Sequence, residues 1–198
     1  MLLVRLPKQT VRGSLTPPVQ TEPICEVFGD RSKHKTPVKE TTRSSRKRYE
    51  IQFGSSCIVK NDVKKAFEIF VDNVLSGSEG LCITRQFPPK VRKKYGLQRT
   101  PIVRLTQEKV EREQTVYSLQ DLSTMVKSFL ASVNEGIVLL DGIEYLVLNH
   151  EFGSVVRLIQ SLRSRVEMKK SILIAPLFDD TLDVKYVKLI EREMQPLP

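Results

Sequence analysis

The chain has 198 residues, of which 40% are hydrophobic, and a formal net charge of +9. This length suits one globular domain with additional sequence, and such a domain can bury a core without disulfides. Three scattered cysteines, no Cys-x-x-Cys pair and only two histidines argue against a structural zinc site, so neither a metal nor a cofactor is expected. The first residues hold too short an apolar run for a signal peptide, and no segment has the length of a membrane helix. These features favour a cytoplasmic protein without a membrane partner.

The positive charge is unevenly distributed along the chain. Residues 1–48 contain eleven Lys and Arg residues against four acidic ones, which gives this segment a net charge of +7. Residues 85–104 contain seven basic residues and no acidic residue. A charge asymmetry of this kind indicates that the two basic segments have an acidic or polyanionic partner.

Residues 1–48 differ in composition from the rest of the chain. They are rich in Pro, Ser, Thr and basic residues, and they show no sustained hydrophobic periodicity. The prolines prevent long helices, and the segment has too few apolar residues to form a core. We therefore predict an extended basic N-terminal arm, disordered without a partner, followed by an α/β domain over residues 49–198.

From residue 49 onward, segments with the period of a strand alternate with segments that have the period of a helix. This alternation predicts an α/β fold with a mostly parallel sheet and helices on both faces. In chain order the predicted elements are a bent strand or strand pair over 49–59, a helix over about 63–75 capped by Asn61 or Asp62, a strand over 81–84, a short basic helix from Pro88 to near Gly96, a strand over 101–105, a polar excursion over 106–117, a helix from Ser118 to about Asn134, a strand over 137–140, a helix over about 151–168, a strand over 171–175 and a helix over about 183–194.

The strand predicted over 137–140 is followed directly by Asp141 and Gly142. This is how a buried parallel strand brings a carboxylate to the carboxyl edge of a sheet. In P-loop ATPases such an aspartate helps to hold the metal of a bound nucleotide, together with a Gly-rich loop that ends in Gly-Lys-Ser/Thr. The chain contains no such loop. The sequence therefore predicts a nucleotide-binding architecture without the nucleotide machinery, and a protein that is not an enzyme.

Asp141 and Glu144 are nevertheless candidates for metal binding or for acid–base chemistry. Such carboxylates must converge on a pocket or on a metal, and the sequence offers no third ligand. The favoured interpretation is that Asp141 caps the following turn and Glu144 makes an ion pair.

Several short motifs resemble the archaeal domain of unknown function 835, and they occur in the family's order. The resemblance covers residues 49–194. The motifs are Gly80-Leu-Cys-Ile-Thr-Arg85, Pro89-Lys-Val-Arg92, Tyr95-Gly96, Thr100-Pro-Ile102 and Asp141-Gly-Ile-Glu-Tyr145.

The resemblance implies a three-layer core similar to RecA and KaiC that has lost its P-loop. It also implies a place beside signal-transduction modules, and it assigns no activity. The chain departs from the family pattern at Arg104, where an aromatic residue is expected, and in its basic arm. Both departures add positive charge and favour the binding of an anion.

The basic segment that begins at residue 85 is the principal candidate binding site. It follows a predicted strand end, which is the usual ligand edge of an open parallel sheet, and several cations close together recognise phosphate. Phe87 and Tyr95 are candidate stacking surfaces for bases. The alternative is an ordinary solvated helix face. The basic candidates are Arg85, Lys90, Arg92, Lys93, Lys94, Arg99 and Arg104.

A second basic cluster lies immediately before the domain. A basic arm on a globular domain commonly follows a nucleic-acid backbone, and the alternative is a solubilising linker. Its members are Arg43, Arg46, Lys47 and Arg48.

These observations favour a non-enzymatic regulatory protein that binds RNA. Its partner would be a ribosomal subunit or another structured RNA with its proteins, occupied through the basic domain edge and the arm. DNA is the other candidate polyanion, although no standard DNA-reading motif is recognisable. The runner-up is a signal-transduction module that binds an acidic protein or a nucleotide messenger. Arg157, Arg163 and Arg165 on the helix predicted over 151–168 form either a solvated face or a homodimer contact.

Overall fold

The computed structural model describes residues 48–107 and 114–197. Except for Arg48, the predicted arm over 1–48 lies outside the described residues, and so do Arg43, Arg46 and Lys47.

The described residues form seven strands and six helices, which alternate along most of the chain. They are β1 (Ser56–Lys60), α1 (Val63–Leu75), β2 (Gly80–Thr84), α2 (Pro88–Tyr95), β3 (Ile102–Leu105), β4 (Thr115–Val116), α3 (Leu119–Ser132), β5 (Ile137–Asp141), α4 (Ile143–Asn149), α5 (Phe152–Met168), β6 (Ile172–Leu177), α6 (Val184–Glu193) and β7 (Gln195–Leu197).

The strands form one sheet in the order β4-β3-β2-β5-β6-β1-β7, and every neighbouring pair is parallel. The predicted parallel α/β architecture is therefore confirmed. Because parallel strands point the same way, the ends of β2, β3, β4, β5 and β6 all meet at the carboxyl edge of the sheet. The loops and helix starts at that edge come from many separate parts of the chain.

Helices cover both faces of the sheet, as predicted. On β2, Leu81 and Ile83 contact a core that includes α3, α4, α5 and α6, whereas Cys82 contacts a second core formed with α1 and α2. Alternate residues of a strand point to opposite faces, so this division follows from the pleat. The result is a three-layer domain in which α1 and α2 occupy one face.

Two helix starts agree with the caps expected from the sequence. The side chain of Asp62 accepts a hydrogen bond from the backbone N–H of Lys65 at 2.8 Å at the start of α1. The hydroxyl of Ser118 accepts one from the backbone N–H of Asp121 at 3.0 Å at the start of α3. Each cap satisfies an amide that has no partner within the helix.

The strand predicted over 49–59 is shorter than expected, because only its last part joins the sheet. Tyr49, Ile51 and Phe53 are partly buried against the core of α1 instead of pairing with a strand. The backbone N–H groups of Arg48 and Tyr49 both donate to the Asp72 carboxylate, at 2.9 and 3.1 Å. The alternation of apolar residues over 49–53 therefore results from packing against α1 and not from pairing in the sheet.

Three short elements were not predicted from the sequence. Strand β4 has two residues, β7 has three and α4 has seven. Such lengths are too short for a hydrophobic period to be measured, and the strands are defined by their partners. Thr115 pairs with Arg104, and Gln195 pairs with Cys57.

We expect Phe70→Ala to lower the free energy of unfolding by about 3 to 5 kcal/mol, because the ring is fully buried between α1 and the sheet. Leu75→Ala, on the same helix but 74% exposed, should change it by no more than about 0.5 kcal/mol. Denaturant unfolding of the two variants provides the measurement. Similar midpoints for both would contradict the assigned inner face of α1.

Candidate functional site at the carboxyl edge of the sheet

The central strands β2 and β5 end side by side, with Thr84 paired to Asp141. The Thr84 hydroxyl donates to Asp141 Oδ2 at 2.5 Å, and the Gln86 side-chain amide donates to the same oxygen at 3.4 Å. The backbone N–H of Gln86 donates to the Thr84 hydroxyl at 3.1 Å. Asp141 therefore holds the loop after β2, and it does not cap the following turn as the sequence suggested.

Glu144 is occupied by a backbone group. Its Oε1 accepts a hydrogen bond from the N–H of Phe178, just after β6, at 2.7 Å. Burial raises the pKa of the Glu144 carboxyl above its ordinary value. Where the sequence suggested an ion pair, the carboxyl instead connects α4 to the end of β6.

Arg85 lies along the carboxyl edge with its guanidinium 3.6 Å from the centroid of the Tyr145 ring. Gly142 makes this approach feasible, since a Cβ at this position would lie 3.1 Å from Arg85 Cγ and 2.9 Å from Leu105 Cδ2. Its φ of 137° also favours glycine. Arg85 is exposed as a residue, so part of its side chain is accessible to solvent.

The connection between β1 and α1 is very short, consisting of Asn61 and Asp62 alone. The Asn61 amide donates to Asp179 Oδ1 at 2.8 Å, and the N–H of Asp179 donates back to Asn61 Oδ1 at 3.1 Å. Asp62 is used as the cap of α1. A phosphate-binding loop needs a longer run of backbone N–H groups that face the ligand. This connection does not provide one.

Helix α2 carries exposed cations from the carboxyl edge toward the amino edge of the sheet. It begins with Pro88 and Pro89 and exposes Lys90, Lys93 and Lys94. Arg85 precedes it at the carboxyl edge, and Arg99 follows it near the start of β2, where it lines an open cavity. We call this set the basic stripe: Arg85, Lys90, Lys93, Lys94 and Arg99.

Arg92 has a different role from its neighbours. Its Nη1 donates to the carbonyl oxygens of Leu97, Gln98 and Thr100 at 2.8, 3.2 and 3.1 Å. The side chain therefore braces the loop after α2. Nothing in the residue pattern distinguishes it from the exposed lysines, so the sequence grouped it with them.

Two further candidates, Tyr95 and Arg104, are placed less openly than the basic stripe. Tyr95 stacks on Phe67, with ring centroids 4.6 Å apart and planes at 9°, so one side of its ring is covered. Arg104 is half-buried within β3, between Thr84 and Thr115. Of the two aromatic candidates, only Phe87 exposes much of its ring, at 48%.

The arm joins the domain on the face that also carries α2. The two hydrogen bonds to Asp72 place Arg48 on the outside of α1, and its guanidinium lies 5.4 Å from the Tyr49 ring.

Two of the three arginines on α5 contact polar side chains of the same domain. Arg163 pairs with Glu193 of α6 at 3.1 Å, and Arg157 donates to Ser154 at 2.8 Å. Both side chains are exposed, in keeping with the solvated-face alternative.

Across the described residues, no three His, Cys, Asp or Glu side chains are grouped to hold a metal ion. None of the helices described is both long and apolar enough to cross a membrane.

We expect Arg92→Ala to lower the free energy of unfolding by about 1.5 to 3 kcal/mol, because three carbonyl groups lose a charged donor. Lys93→Ala is the matched control and should change it by no more than about 0.5 kcal/mol, since this lysine is exposed. Chemical denaturation measures both. Equal stability of the two variants would contradict the proposal that Arg92 stabilises the loop after α2.

Glu144→Gln should stabilise the protein in a pH-dependent way. Because the folded-state pKa is raised, ionisation of Glu144 lowers the free energy of unfolding as the pH rises from the ordinary carboxyl value through the raised one. Glutamine removes this titration and keeps an oxygen to accept the Phe178 N–H. The stability difference between variant and wild type should grow through that window and stay constant below it. Denaturation at stepped pH tests this, with the exposed Glu151→Gln as the control, and a pH-independent difference would contradict it.

Comparison with the solved structure of a flagellar accessory protein supports the fold. Flagellar accessory protein FlaH from Methanocaldococcus jannaschii superposes with a TM-score of 0.51 at 12% identity, over 73% of this chain and 70% of that one. A protein from Pyrococcus horikoshii OT3, PH0250, gives a TM-score of 0.49 at 10% identity, over 73% of this chain and 80% of that one. The domain has a RecA-like three-layer α/β fold.

Comparison of the sequence identifies the family. No curated protein matches the chain. The family described as protein of unknown function (DUF835) matches residues 58–194, which is more than half of the chain. This range contains the strand ends and helix α2 described above. The chain belongs to the DUF835 family.

Proposed function

We propose that this protein is a non-enzymatic, cytoplasmic, RNA-binding regulatory protein. It occupies a ribosomal surface or another structured RNA through the basic stripe and the basic N-terminal arm. The observation that supports the proposal best is the stripe itself, an exposed run of cations in a segment without acidic residues from residue 80 to residue 106.

The cations of the stripe are available to a partner. In the described part of the chain, Lys60, Lys64 and Arg163 have carboxylates within ion-pair distance, whereas Lys90, Lys93 and Lys94 do not. Lys94 lies against the Tyr95 ring, with its Nζ 4.8 Å from the centroid. Binding phosphate would therefore break no internal ion pair of these lysines, and it would release counterions from the nucleic acid.

The arm would supply further cations. Residues 1–48 carry a net charge of +7, and the last of them, Arg48, donates its backbone N–H to Asp72 on α1. A polyanion that lies along α2 would be on the face of the sheet to which Arg48 is attached. Contacts of this kind to phosphates fix the position of a protein on RNA and carry little sequence information.

The geometry of the carboxyl edge supports a role without catalysis. Asn61 and Asp62 leave no loop for a nucleotide's phosphates, and Asp141 is hydrogen-bonded to Thr84 and Gln86. In this proposal the RecA-like fold serves as a rigid platform that presents charge, and its nucleotide site has been converted into internal structural contacts.

A signalling module is the second candidate. The observation in its favour is the polar cluster at the ends of β2 and β5, because ligands of open parallel sheets bind at this edge. A nucleotide messenger or an acidic protein would then contact Arg85 and its neighbours. The lysines of α2 are farther from this cluster, so substituting them should affect the RNA-binding function more than the signalling function.

Replacing Lys90, Lys93 and Lys94 together with Glu should abolish association with ribosomal particles or structured RNA and leave the thermal melt nearly unchanged. The three side chains are exposed and, in the described residues, unpaired with any carboxylate, so only the partner is affected. Each lost phosphate contact should flatten the slope of log affinity against log salt by about 0.7 to 0.9. Filter binding and sedimentation at several salt concentrations provide the measurement.

The matched control replaces Lys127, Lys169 and Lys188 with Glu. These lysines are also exposed and lie on the opposite side of the domain, so the change of net charge is the same. If both triple variants lose equal affinity, the effect belongs to overall charge and the stripe is not a binding site. Unchanged binding in both would assign the stripe to an ordinary solvated helix face.

A further inference from the structure

Two exposed aromatic residues follow strand ends at the carboxyl edge of the sheet. Among the described residues, the large hydrophobic side chains with high exposure include only two aromatic ones, Phe87 at 48% and Tyr117 at 50%. Phe87 follows β2, and Tyr117 follows β4. The other ten aromatic residues of the described chain are at least partly buried. The two exposed rings therefore have no comparable packing role.

The register of the sheet brings the two residues to the same edge. Thr84 pairs with Arg104 and Leu105 pairs with Val116, so β2, β3 and β4 end together. Tyr117 follows β4 directly, and Phe87 is the third residue after β2. Since β2 and β4 are separated by one strand, their ends are about 10 Å apart across the edge, at about 4.8 Å per strand spacing.

A cation lies beside the rings. The guanidinium of Arg85 packs on the ring of Tyr145, and Arg85 is an exposed residue. A guanidinium plane held in this way can stack on a base or bind a phosphate. The edge thus combines two exposed rings with a fixed planar cation.

Among the described residues, the acidic side chains nearest this part of the edge have internal hydrogen-bond partners. Asp141 accepts from Thr84 and Gln86, Asp121 accepts from the Ser118 hydroxyl, and Glu144 accepts from the Phe178 backbone. Asp179 and Asp183 are exposed, but they follow β6, on the other side of β5 from β2. A polyanion is therefore favoured over β2, β3 and β4, next to the basic stripe.

We propose that the edge above β2, β3 and β4 binds unpaired RNA bases, with the rings of Phe87 and Tyr117 as stacking surfaces. This inference rests on the proposed function and names its substrate class as single-stranded segments within structured RNA. The bases of a duplex are stacked on each other, so only unpaired bases can stack on a protein ring. The positive charge of the adjacent basic stripe favours RNA as the occupant over an apolar segment of another protein.

The test measures the affinity of the full chain for a short unstructured RNA and for a blunt RNA duplex of the same length. Stacking contributes about 1 to 3 kcal/mol per base, which corresponds to a loss of roughly 5- to 150-fold per ring removed. Phe87→Ala and Tyr117→Ala should each lower affinity for the unstructured RNA by a factor in this range. Affinity for the duplex and the salt slope should stay unchanged, because no charge is altered.

Two controls separate stacking from general apolar contact. Phe87→Leu keeps much of the apolar surface but removes the ring, so it should lose as much affinity as Phe87→Ala. Leu148→Ala removes an aliphatic side chain that is 78% exposed on α4, and it should leave both affinities unchanged. The backbone carbonyl of Phe87 accepts from the N–H groups of Lys90 and Val91, so these substitutions leave the start of α2 intact.

The possible outcomes distinguish this inference from the proposed function. If the ring variants retain affinity for unstructured RNA while the Lys90, Lys93 and Lys94 variant loses it, the stacking inference fails and the proposed function stands. Full affinity in Phe87→Leu, or a matching loss in Leu148→Ala, would indicate an apolar surface for a protein partner and overturn the inference. If the wild-type chain binds neither RNA, the proposed function fails first.

Discussion

The hydrogen bond between Thr84 and Asp141 joins the two central strands of the sheet at the point where each one ends. The short contact of 2.5 Å, with Gln86 on the same oxygen, fixes the loop that leads from β2 to α2. Since α2 begins two residues after Gln86, the direction of this loop sets where Phe87 and the first lysine lie. The carboxylate that would hold a metal in a P-loop ATPase is here a structural acceptor.

The same conversion occurs at the other polar groups of the edge. Asn61 and Asp179 satisfy each other across the place where a phosphate loop would begin, and Glu144 accepts from the backbone after β6. Polar groups that already have internal hydrogen-bond partners have little to gain from a ligand. In the proposed function, recognition relies on charged groups outside this network. The exposed cations at this edge and on this face are Arg85 and the lysines of α2. This is why the proposed interface extends along a helix and is not confined to a pocket.

The sequence predicted the longer elements well, and it failed where tertiary contacts decide the outcome. Helix α1 agrees with the prediction over 63–75, because its apolar period and its Asp62 cap are local properties. The pairing of β7 with β1 and the bracing contacts of Arg92 depend on residues that are distant in space or on carbonyl geometry. Arg92 and Lys93 are indistinguishable as letters in a basic run, although one is structural and the other exposed. Tyr117 carried one weak signal, an isolated aromatic residue in a polar stretch, and only the strand register relates it to Phe87.

The stripe and the two rings would contribute different things to binding. Contacts from Lys90, Lys93 and Lys94 to phosphates are long-range, salt-dependent and insensitive to sequence. Stacking on Phe87 and Tyr117 is short-range and requires bases that are not paired. A surface that uses both would prefer places where a phosphate-rich helix lies beside an unpaired segment. Such places are frequent in folded RNA and absent from a uniform duplex, so this combination would discriminate by RNA shape with no need to read a sequence.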